Sequence, residues 1–65
     1  MISTDIMRVN KIDIANVNRL SDDTYTRKIS IHYKDYNNNQ TEYDITCFAD
    51  SKKELEITTT KIEVI

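Results

Sequence analysis

At 65 residues, with no glycine, no proline and a single cysteine, the chain is one domain at most and can form neither an internal disulfide nor a His/Cys zinc site. A core of this size supplies only about 3–5 kcal/mol, so self-association is the expected staple. Nine basic against eleven acidic side chains leave a net charge of −2 and exert no general pull on phosphate backbones or anionic membranes.

The N-terminal stretch carries Asp5 and no apolar run of signal-peptide length, and nothing approaches the roughly 20 apolar residues that cross a bilayer. A cytoplasmic location with Cys47 reduced and no membrane partner is the expectation. Ile, Asn, Lys, Tyr, Thr and Asp are abundant while Gly, Pro and Trp are absent. That bias follows AT-rich codons and suggests a low-GC bacterium, or a phage or mobile element living in one. Residues 1–11 fit a strand, a helix or an arm equally well.

In KIDIANVNRL, Ile12, Ile14 and Leu20 share one parity and Val17 falls off it. The Asn and β-branched content favours a strand over a helix. The polar cluster Ser21, Asp22, Asp23, Thr24 is read as a four-residue loop, which sets Leu20 opposite Tyr25, Ile14 opposite Ile31 and Ile12 opposite Tyr33. Residues 25–33 alternate cleanly, with Tyr25, Arg27, Ile29, Ile31 and Tyr33 on one side and Thr26, Lys28, Ser30 and His32 on the other. Residues 42–48 repeat the pattern.

Between these two strands lie Asn37, Asn38 and Asn39. A three-residue hairpin loop needs a left-handed residue, which asparagine tolerates better than any residue but glycine, so Asn39 is expected to take glycine's place. This loop pairs Tyr36 with Gln40, Tyr33 with Tyr43, Ile31 with Ile45 and Ile29 with Cys47, and it sets Lys34 against Glu42 and His32 against Asp44. Ser51 and Glu54 then have capping-box spacing, which predicts a single helical turn near 51–55. Leu55 and Ile57 begin a further strand, and the parity change to Ile62 and Val64 calls for a bend over residues 58–60.

Few residues could carry chemistry. In these registers Asp13, His32 and Asp44 fall side by side with Ser30 one pair along, but a flat sheet offers no oxyanion donors and no strained turn for the serine. The set is read as a cross-strand charge ladder, neither catalytic nor metal-binding. Cys47 is read as a buried small hydrophobe. Arg27, Lys28, His32 and Lys34 near Tyr25, Tyr33, Tyr36, Tyr43 and Phe48 have the residue types of a single-strand nucleic-acid binder. Parity sends most of those aromatics to the core face, leaving Tyr36, Phe48, Lys28 and Arg27. On the polar face Val17, Lys28 and Phe48 line up, an apolar pair bracketing a lysine stem. Either Ile2, Ile6, Ile62 or Val64 covers it, or it is a contact surface.

The chain is therefore expected to be a single small all-β domain spanning 1–65, an antiparallel meander of four to five strands. It would be either a curved open sheet or a small SH3-like or OB-like barrel, with one short helical turn. The functional expectation is a non-catalytic protein-interaction module without cofactor or metal, homodimeric, and a modulator encoded by a phage or mobile element. Its partner-binding residues would be Val17, Lys28, Phe48 and Tyr36. The alternative is a single-stranded nucleic-acid-binding barrel.

Overall fold

A computed structural model describes residues 1–59. Four strands form one antiparallel sheet: β1 (Val9–Ile14), β2 (Asn18–Arg19), β3 (Tyr25–Lys34) and β4 (Gln40–Ala49). A single 3-10 turn, Lys52–Leu55, follows β4. β3 is the spine, flanked by β1 and β2 end to end on one side and by β4 on the other. Because β1 and β4 never pair, the sheet stays open, which decides between the two architectures in favour of the sheet. Among the described residues no helix is long and apolar enough to cross a membrane.

The β3–β4 hairpin keeps the expected parity but is displaced by two residues. Tyr33 lies opposite Thr41, Ile31 opposite Tyr43, Ile29 opposite Ile45 and Arg27 opposite Cys47. His32 therefore faces Glu42, not Asp44, and Lys34 faces Gln40, not Glu42. The loop is Tyr36, Asn37 and Asn38, closed by Asp35 and Asn39 through Asp35 N–H to Asn39 O at 3.0 Å. The left-handed residue is Asn38, at φ 63°, and not Asn39.

Asp35 is the cause. Its carboxylate accepts from the amides of Asn37 and Asn39, each at 2.9 Å, satisfying donors that the turn would otherwise leave unpaired. A loop one residue later would put Tyr36 in that position, with no short acceptor to offer.

The first hairpin uses the same device. Leu20 N–H donates to Thr24 O at 2.7 Å, so the loop is Ser21, Asp22 and Asp23 with Asp23 left-handed at φ 63°, three residues where four were expected. Asp and Asn are the residues other than glycine that best tolerate this conformation. The long strand expected over residues 11–20 is broken. β1 pairs Ile14 with Ile29 and Ile12 with Ile31, whereas β2 pairs Asn18 with Thr26, so the register slips across residues 15–17. A second irregularity lies between Val9 and Lys11, beside Arg8 at φ 60°. The off-parity Val17 thus falls in the gap between two short strands and is half-buried there.

Residues directly opposite in an antiparallel pair share a face. One face carries Ile12, Ile14, Ile29, Ile31, Tyr43 and Ile45, and the other carries the charged side chains. The 3-10 turn folds back onto the lower end of the apolar face, where Leu55 and Ile57 meet Arg27, Ile29 and Cys47. Arg27 holds it there, donating to Leu55 O and to Ala15 O, both at 2.9 Å. Ser51 and Glu54 do meet, through Ser51 Oγ donating to Glu54 Oε1 at 2.9 Å, but the serine does not cap a backbone amide. No strand follows among the described residues, since 56–59 lack regular structure. The expectations for Ile62 and Val64 lie outside the described residues.

Candidate interaction surfaces

Leu55, at 7% exposure, is the one buried side chain among the described residues. The apolar face above it stays open to water. Ile12 is 60% exposed, Ile14 44%, Tyr43 43% and Ile45 39%, in a contiguous stripe across β1, β3 and β4. At its upper end the N-terminal arm approaches, and Ile6, Met7 and Arg8 line an open cleft with Tyr33, Lys34 and Tyr36. Arg8 fastens the arm to the hairpin tip by donating to Asp35 O and Asn38 Oδ1, each at 2.8 Å. A reciprocal amide pair between Asn10 and Gln40 adds a second tie at 2.9 and 3.2 Å. The stripe is thus bounded by the arm above and the 3-10 turn below. Cys47 is half-buried, not enclosed, because only the turn shelters it.

The opposite face is a network of opposed charges. Asp13 and Asp44 flank Ser30 on the two neighbouring strands, and His32 lies one pair along between Lys11 and Glu42. His32 Nε2 stands 3.0 Å from Asp13 Oδ2, and its Nδ1 stands 3.5 Å from Glu42 Oε1. The second carboxylate on the imidazole is therefore that of Glu42, where the sequence suggested Asp44. Both ring nitrogens face carboxylates, so neither is directed at Ser30. Among the described residues no three His, Cys, Asp or Glu side chains converge as a metal-ligand set.

Asp44 turns to Lys28, whose Nζ is 3.3 Å from Oδ2. The Ser30 hydroxyl above all, then the Glu42 carboxyl and the Lys28 ammonium, holds the Asp44 carboxyl below the usual carboxylate range. Lys11 and Asp13 add a further pair at 3.5 Å. Ion pairs this exposed contribute little to stability, but they make the face well suited to water.

The four residues singled out for partner binding do not form one patch. Lys28 lies opposite Thr46, and Phe48 lies opposite Thr26, which in turn faces Asn18. The expected row of Val17, Lys28 and Phe48 is thus displaced by the same two-residue shift and by the break before β2. Phe48 is 65% exposed at the lower end of the charged face. Tyr36 projects fully into solvent from the hairpin loop at the opposite end of β3 and β4. The stripe itself was legible as an apolar face and was assigned to a core. Outside the sheet and its loops the described chain has only the arm of residues 1–8 and residues 50–59 with their single turn, and these reach the ends of the stripe and not its centre.

Three of the four basic side chains expected to serve nucleic acid, Arg27, Lys28 and His32, are engaged within the chain, whereas Lys34 lies opposite Gln40. Lys28 and His32 pair with carboxylates and Arg27 donates to two backbone carbonyls; outside that set, Arg8 and Arg19 also bond within the chain. Comparison of the chain with protein-family models, with curated proteins and with solved structures gives no match in any of the three.

Proposed function

We propose that this chain is a non-catalytic protein-interaction module whose working parts are the surfaces of its sheet. The observation that carries the reading is the open apolar stripe of Ile12, Ile14, Tyr43 and Ile45 on a chain that buries Leu55 alone among the described residues. Contiguous exposed apolar surface of this kind marks a contact site. Exposed Phe48 supplies a separate apolar contact on the charged face. The outer edge of β4 adds to it: ten residues without proline, unpaired among the described residues, in the form that accepts an added strand. The AT-rich-codon composition supports a source in a phage or mobile element of a low-GC bacterium, acting on a host protein in the cytoplasm.

The test is capture from a low-GC bacterial lysate on immobilised chain, with and without nuclease, read by mass spectrometry. The expected result is a stoichiometric protein that survives nuclease and is lost with Phe48→Ser. A catch that vanishes with nuclease would overturn the reading in favour of single-stranded nucleic acid, with Tyr36 and Lys28 as its contacts.

A further inference from the structure

We infer that the occupant of the apolar stripe is a second copy of this chain, packed face to face as a two-sheet sandwich. This rests on the interaction-module reading and deepens it by assigning one of its surfaces.

The chemistry of the stripe selects an uncharged, aliphatic partner. Its centre is Ile12, Ile14, Ile29, Ile31, Tyr43 and Ile45, with no acid among them. At its lower end Arg27 spends its guanidinium on Ala15 O and Leu55 O, and at its upper end Arg8 spends its own on Asp35 O and Asn38 Oδ1, all within the chain. Charged side chains stand only at the two ends of the stripe, and its centre offers nothing to a charged peptide, a phosphate or a lipid headgroup. An identical stripe answers it directly, and a patch that pairs with itself about a two-fold axis is the commonest geometry of small oligomers.

The areas agree. Three strands with a ten-residue spine present a face about 33 Å long and about 14 Å wide, so two faces in contact cover on the order of 1,000 Å², the threshold for a specific interface. Sheets packed this way lie about 10 Å apart with their side chains interdigitated. The arm and the turn border the stripe at its two ends, where Met7 and Ile57, both exposed, extend the apolar surface to the full length of the face.

The other routes to a dimer leave the problem in place. Pairing β4 edge to edge would join two sheets and leave both apolar faces wet. Packing the charged faces together would desolvate Asp13, Lys28, His32, Glu42 and Asp44 at heavy cost.

Two measurements on the full chain test this. In sedimentation equilibrium the expected mass is twice the 7.6 kDa of one chain. Ile12→Glu should weaken association at least a hundredfold, whereas Phe48→Ser should leave it unchanged. Should Ile12→Glu fail to fold, isotope-filtered NOEs in a mixed labelled and unlabelled wild-type sample decide. Contacts between copies among the Ile12, Ile14 and Ile45 methyls and the Tyr43 ring support the sandwich. A single-chain mass, or contacts between copies along the β4 edge or at Phe48, overturns it. A monomer that still captures a protein partner would sink this inference alone. A face-to-face dimer that captures none would sink the module reading alone.

Discussion

Asp44 sits on the wet face of the sheet, opposite Ser30 and 3.3 Å from the Lys28 ammonium. The serine hydroxyl is the leading cause of its lowered pKa, with Glu42 and Lys28 behind it. A carboxyl lowered in the folded state stabilises that state above the unfolded carboxylate pKa, and the contribution fades as pH falls through the lowered folded value. Ser30→Ala should therefore move the Asp44 side-chain carbon titration toward the ordinary range, read by NMR; an unmoved midpoint would show that Ser30 does not set it. At this level of detail the sequence was only partly legible. Alternation placed Ser30, His32, Glu42 and Asp44 on one face correctly, but which acid meets which base depended on register. Both registers offer a charge partner for His32, but only the expected one offers Lys34 a partner, in Glu42, so charge pairing favoured the register that does not form. Asp35 chooses, through its two 2.9 Å bonds to Asn37 and Asn39. An aspartate just before an asparagine run is a turn signal in its own right, and it outweighs the position of the run.

The elements divide by how regular their patterns are. β3 and β4 are ten residues each with strict alternation, and they form where the pattern puts them. The segment before them carried one off-parity residue, Val17, and that single violation marks the break between β1 and β2. The 3-10 turn was signalled by the spacing of Ser51 and Glu54, but its attachment was not, because a lone arginine on an apolar parity does not announce which carbonyls it will reach. Arg27, itself anchored to Ala15 O, supplies the bond to Leu55 O that seats the turn over Cys47 and Ile29. A hydrogen bond from a charged donor at a half-buried site contributes about 1–2 kcal/mol, so Arg27→Met should free the turn and speed alkylation of Cys47 about tenfold. An unchanged thiol reaction rate would mean that the turn holds its place without the guanidinium.

The described residues form one layer of β-sheet with a wet face and an apolar face, and the N-terminal arm and the 3-10 turn reach only the two ends of the latter. Layered domains are stable because each apolar face meets another element, and here the described chain offers its own sheet a 3-10 turn at one end and an arm at the other. Length and composition foretold the shortage, since a chain of 65 residues with one cysteine and one histidine has neither an internal disulfide nor a His/Cys zinc cluster to close a core. They could not foretell where the shortage would fall, because the residues read as core are the same ones that now form the exposed stripe. If a second copy supplies the missing layer, folding and association are one event, and stability must depend on concentration by mass action. The deciding measurement is the urea midpoint of the full chain across a hundredfold range of protein concentration. The expected result is a cooperative transition whose midpoint climbs with concentration, each tenfold step adding about 1.4 kcal/mol of apparent stability per dimer. A cooperative transition at the same urea concentration throughout would show that one chain is complete by itself, and would contradict the reading of the apolar face as half of a sandwich.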